Sequence, residues 1–145
     1  MGGMDGEGAV LDEAEGVVTV PSPYPVEGTV TRLQELLAQR GIELFALVDH
    51  SGAAARAGLR MPDTKLLIFG SPRAGTHLML ASPSSALDLP AKILVAERPG
   101  SGTLVSYNLP RYLANRHHLS PELLGPLNAV ADLVAEVTGR TAEPH

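Results

Sequence analysis

An α+β domain is what this sequence predicts, and three observations carry the reading: the order of its elements, an aliphatic core, and the lack of an internal repeat. The chain opens as strand then helix, continues mainly as strands and closes in helices, which differs from the regular alternation of a doubly wound sheet. At 145 residues it has room for one domain, with a core large enough to close without staples. Hydrophobic residues make up 44% of the chain, yet only Tyr24, Phe45, Phe69, Tyr107 and Tyr112 are aromatic. The core must therefore be built from Leu, Val, Ile and Ala.

The elements follow in order. Residues 1–15 carry Asp5, Glu7, Asp12, Glu13 and Glu15 with no Lys or Arg and few aliphatic side chains. Such a segment cannot offset its ordering entropy, so an acidic disordered tail is expected there, a domain over 16–139, and a short tail over 140–145. Val17, Val18, Thr19 and Val20 are β-branched and end at Pro21-Ser22-Pro23, predicting a first strand. Val26, Val30, Leu33, Leu36 and Leu37 recur at helical spacing, with Glu27 at the start and Arg40-Gly41 as the stop.

Residues 42–48 are apolar except Glu43 and predict a second strand, with Ile42, Leu44, Ala46, Val48 and then His50 on one face. Ser51 is placed to cap a short Ala-rich helix over 52–57, closed by Gly58. A third strand is expected over 65–69. After Gly70-Ser71-Pro72 a helix is expected over 73–81, broken by Ser82-Pro83-Ser84-Ser85. Residues 91–97 and 103–107 flank a five-residue loop and read as an antiparallel hairpin. Asn108 can cap a helix over 109–117, with Pro110 tolerated in its first turn. Ser120-Pro121 opens another, and Pro126 forces a break at Gly125. The last helix is then expected over 126–138, with Leu127, Val130, Val134 and Val137 as its buried stripe and Gly139 at its end.

Several function classes are excluded or disfavoured. With no cysteine there can be no disulfide, zinc thiolate site, iron–sulfur cluster or thiol nucleophile. No apolar run approaches the roughly 20 residues of a membrane helix, and the basic-then-apolar layout of a secretory signal is missing. A cytoplasmic protein without a membrane partner is the expectation. The net charge of −5 is concentrated in the tail: removing its five acids from sixteen leaves eleven against eleven bases. A neutral domain without a basic cluster is not expected to gather nucleic acid.

Four motifs stand in one order: residues 41–50 (Gly-Ile-Glu-Leu-Phe-Ala-Leu-Val-Asp-His), residues 66–76 (Leu-Leu-Ile-Phe-Gly-Ser-Pro-Arg-Ala-Gly-Thr), Asp88-Leu89-Pro90, and Ser106-Tyr107-Asn108. Over roughly residues 17–138 the chain resembles the bacterial and archaeal domain of unknown function family 302. That resemblance implies an antiparallel sheet backed by helices, similar to the TATA-binding-protein-like class, and homodimers. It implies no reaction.

Four constellations are candidates for chemistry. Asp49-His50 at a strand end pairs an acid with a group able to shuttle protons near neutral pH, but strand neighbours point to opposite faces. The plainer reading is that Asp49 or Ser51 caps the next helix while His50 finishes the core face. Residues 70–77 place two glycines at Walker A spacing between a strand and a helix, with Thr76 and His77 where Lys and Ser/Thr belong. Arg73, Gly75, Thr76 and free helix-start amides would suit a carboxylate or phosphate; a plain turn capped by Ser71 or Thr76 is the alternative. His50, His77, His117 and His118 lack spacing for a shared metal, so no cofactor is expected. Tyr107 and Asn108 read either as polar pocket groups or as a strand-end Tyr and a helix cap. Three functions stay open: a dimeric module binding a small anionic molecule near His50 and Arg73, an enzyme using His50 as acid or base, and a partner-binding domain without a pocket.

Overall fold

The structure, a computed structural model, describes residues 14–140. The tails expected over 1–15 and 140–145 lie outside the described residues, apart from Ala14, Glu15 and Arg140. Five strands, β1 (Val17–Ser22), β2 (Glu43–Asp49), β3 (Thr64–Gly70), β4 (Ala91–Arg98) and β5 (Gly102–Asn108), form one sheet of order β1-β5-β4-β3-β2. Every pairing is antiparallel. The helices are α1 (Val26–Gln39), α2 (His50–Arg56), α3 (Pro72–Ala81), α4 (Pro110–His117) and α5 (Gly125–Thr138), with 3-10 turns at Pro83–Asp88 and Pro121–Leu123.

β1 and β2 are the two edges of the sheet, so α1, which joins them, must cross its whole width. Its 14 residues span about 21 Å at a 1.5 Å rise. Four strand spacings come to about 19 Å, so the helix matches the distance it bridges. α1 and α5 pack on each other and on the same sheet face. Val18, Val20, Leu67, Phe69, Ile93, Val95, Val105 and Tyr107 point into that layer and meet Leu33, Leu37, Val130, Leu133 and Val134. Each expected stripe residue of α1 and α5 is buried, all in this layer but Leu127, which packs with Leu78 and Leu113. Truncating a fully buried side chain such as Leu33 to Ala would cost about 2–5 kcal/mol.

β2 departs from the alternation expected of it. Leu44 is opposite Phe69, but Ala46 is opposite Ile68 and Val48 opposite Leu66, with a register shift between Leu44 and Ala46. The extra residue, Phe45, is a bulge that turns the rest of the strand over. Leu44 therefore faces the core while Ala46 and Val48 share the outer face with Leu66 and Ile68. His50 is not on the strand at all; it is the first residue of α2, and Asp49 is the cap. Asn108, expected to cap a helix, is the last residue of β5, paired with Val17, and α4 starts after Leu109 without a side-chain cap. The β4–β5 loop is shorter than expected because Arg98 pairs with Gly102, whose φ is +79°.

Candidate functional site

The residues singled out in the sequence fall at two opposite ends of the sheet. β2 and β3 are antiparallel: Asp49 is level with Lys65, and Glu43 is level with Gly70. Asp49 and His50 thus lie at one end, and the Gly70–Thr76 turn into α3 lies at the other, about 20 Å away along seven residues of strand. A single pocket holding both His50 and Arg73, as expected above, is not formed. Consecutive strand ends share an edge only when the strands are parallel, and these are not. Tyr107 and Asn108 end β5 on the Gly70 side, with Tyr107 buried in the core layer and Asn108 exposed.

At the His50 end the acid is committed to the backbone. Asp49 accepts from the Gly52 amide at 2.9 Å and from Ser51 Oγ at 2.8 Å. Those two hydrogen bonds, helped by Lys65 and Arg56, hold its carboxyl below the ordinary value of 3.8. Ser51 also accepts from the Thr64 amide at 3.1 Å, stitching α2 to β3. His50 is exposed and does not contact this acid as a triad histidine would.

The start of α3 offers little to an anion. Pro72 has no N–H, the Ala74 amide faces Ser71 Oγ at 3.5 Å, and the Gly75 amide donates to Ser71 O at 2.9 Å. Thr76 Oγ1 donates to Pro72 O at 2.6 Å. Arg73 is exposed. It forms no ion pair with Asp88 or Glu97; Asp88 instead takes Arg116 Nη1 at 3.1 Å.

What the turn does build is an apolar cleft of about 440 Å³. One wall is the sheet end with Phe45 and Phe69, the second is α3 with Ala74, Gly75 and Met79, and the third is the first half of α5 with Pro126, Ala129 and Val130. Gly75 and Thr76 line it, whereas Arg73, Tyr107, Asn108 and His50 do not. The bulge brings Phe45 to its mouth, 41% exposed. The sequence showed Phe45 only as an aromatic within an expected strand; that β2 is an edge, and that a bulge turns the ring to the cleft, are facts of the fold.

A second grouping lies behind that wall. His117, on α4 and only 4% exposed, has Nε2 at 2.6 Å from Asp88 Oδ2 and Nδ1 at 2.8 Å from Ser84 Oγ. Asp88 and Ser84 belong to the Pro83–Asp88 turn. Leu78, Leu89 and Leu127 line both the cleft and a small void next to His117. The sequence showed Asp88 only within a motif and His117 only as one of several histidines; 29 residues separate them, so no local spacing could pair them. Among the described residues no three His, Asp or Glu side chains converge as metal ligands.

Comparison with known proteins agrees with this architecture. A family model described as domain of unknown function DUF302 matches residues 18–138. The fold is similar to that of the crystal structure of an uncharacterized conserved DUF302 protein from Bacillus stearothermophilus, with TM-score 0.71 and 19% identity over 88% of this chain and 99% of that one. Two relatives named fluoride-specific ion channel FluC 1, from Brucella suis and Brucella abortus, are 37% identical over 124 residues, 86% of this chain. The match covers only 46% and 44% of those proteins, so the chain spans less than half their length. Among the described residues no helix is long and apolar enough to cross a membrane. With the family model covering nearly the whole described chain and the same fold in a solved member, this chain belongs to the DUF302 family.

Proposed function

We propose that this domain binds a small, predominantly apolar molecule in the cleft between α3, α5 and the Gly70 end of the sheet. The observation that carries the reading is the cleft itself: about 440 Å³ falls in the range of ligand sites, roughly 300–1,000 Å³, and its lining is almost wholly apolar. The ligand class therefore differs from the anion suggested by Arg73, whose side chain does not line the cleft. An enzyme built on His50 draws no support from an exposed ring beside an acid already engaged as a cap. Fluoride conduction is said of the longer relatives and is not carried to this chain. A homodimer, implied by the family resemblance, is part of the same proposal.

Burial sets the affinity to look for. A ligand hiding about 200 Å² of apolar surface gains about 5 kcal/mol, equivalent to a Kd near 0.2 mM. The test is displacement of a naphthalene dye by aryl and alkyl alcohols and acids, run to millimolar concentrations, on the wild type and on Gly75→Leu. A Cβ at Gly75, which lines the cleft, meets only Met79 Cε, at 3.9 Å, so a substitution there starts without a backbone clash. Binding is expected to fall at least about tenfold without any loss of melting temperature. A wild type that binds none of the panel, or a variant that binds equally well, refutes the proposal.

A further inference from the structure

Ser84, His117 and Asp88 are connected as a hydroxyl, an imidazole and a carboxylate in series. A carboxylate can only accept, so the 2.6 Å contact with Asp88 Oδ2 places the imidazole proton on Nε2. Nδ1 is then left with its lone pair directed at Ser84 Oγ, 2.8 Å away. Arg116 Nη1 donates to the same carboxylate oxygen and holds it in place. The ring is buried, whereas Ser84 is an exposed residue, its Oγ also 3.5 Å from Ser82 Oγ. Compared with the Ser–His–Asp arrangement of serine hydrolases the two ring nitrogens have exchanged partners; either nitrogen can act as the base once the other carries the proton.

We propose that Ser84 is a nucleophile with His117 as its base and Asp88 as the positioning residue, taking activated acyl groups from apolar esters. The substrate class follows from two features. Base activation alone suits centres that already carry a good leaving group, and the α3–Pro83 unit next to Ser84 carries Leu80 and Leu87, 77% and 73% exposed. In the step, Ser84 Oγ bonds to the carbonyl carbon and its proton passes to His117 Nδ1. The bond from that carbon to the aryl oxygen breaks, and the departing phenol takes the proton from Nδ1. An acyl-serine and a phenol are the products.

The rival reading is a clasp that ties the Pro83–Asp88 turn to α4 and has no reactivity. The full chain is treated with a fluorophosphonate and, separately, with an aryl butyrate, and adducts are located by peptide mass mapping. Ser84 is expected to be modified at least about 100-fold faster than Ser101, an exposed serine of the β4–β5 turn, as general-base assistance of about 10²–10⁴-fold requires. Ser84→Ala should lose the adduct, and Ser85→Ala should keep it. His117→Gln should lose it too; if that variant does not fold, the wild-type map and Ser84→Ala still decide. No adduct on Ser84, or one formed no faster than at Ser101, overturns the proposal. A covalent readout is separate from dye displacement in the cleft, so either reading can fail alone.

Discussion

Asp49 accepts from Ser51 and from the Gly52 amide, and this single carboxylate was the strongest enzyme-like signal in the sequence. An Asp-His pair and an Asp helix cap are written with the same letters; what separates them is whether the chain turns into a helix at the next residue. Here it does. Because the folded-state pKa is depressed, the cap contributes its full stability above the ordinary carboxylate value and loses it as pH falls through the lower folded value. Asp49→Ala is expected to melt below the wild type at pH 7, with the gap closing in strong acid as the wild-type carboxyl protonates. Melting curves of both proteins from pH 7 down to about pH 2 check this. A gap of constant size across that range would show that the charge on Asp49 has no part in capping.

At the scale of elements, α1 and α5 were legible because a buried stripe repeats at helical spacing over four turns and a long run outweighs any one residue. β2 was legible as a strand but not in its facing, since a one-residue bulge reverses every side chain after it and leaves no mark in the composition. The Ser84–His117–Asp88 series was not legible, because it joins a 3-10 turn to a helix whose relative placement is a tertiary fact. α3 carries its own test. Gly75 sits within this helix without a positive φ, and a Cβ there meets nothing closer than 3.9 Å. Gly75→Ala should then stabilise the protein by about 0.5–1 kcal/mol, by limiting the unfolded chain. Urea titration decides it: a midpoint at or below that of the wild type would mean that α3 depends on the glycine for packing.

At the scale of the whole molecule, both long helices cover one face of the sheet, and the other face is unusual for an antiparallel sheet turned toward water. Such a face is normally polar. On β2, β3 and β4 this one presents Val48, Leu66, Ile68, Leu94 and Ala96, with Lys92 the basic exception; toward β5 and β1 it carries the hydrogen-bonded pair Ser106 and Thr19. An apolar face of this size calls for a cover. A second copy is the occupant proposed: residues 16–145 carry eleven acids and eleven bases, and the five acids that give the chain its net charge of −5 lie in residues 1–15, outside the sheet. The face as a whole, its polar β5–β1 side included, spans five strands of about seven residues, roughly 24 by 24 Å, or about 1,100 Å² over two copies. That lies just above the roughly 1,000 Å² of a specific interface, so the pair should be concentration-dependent and not obligate. Native mass spectrometry and light scattering over a dilution series are expected to show a monomer–dimer equilibrium. Ile68→Glu, placing a charge at the middle of the face, should shift it to monomer without unfolding the domain, since the core lies on the opposite side. A monomer at every concentration, or a dimer indifferent to Ile68→Glu, would mean that this face is not where two copies meet.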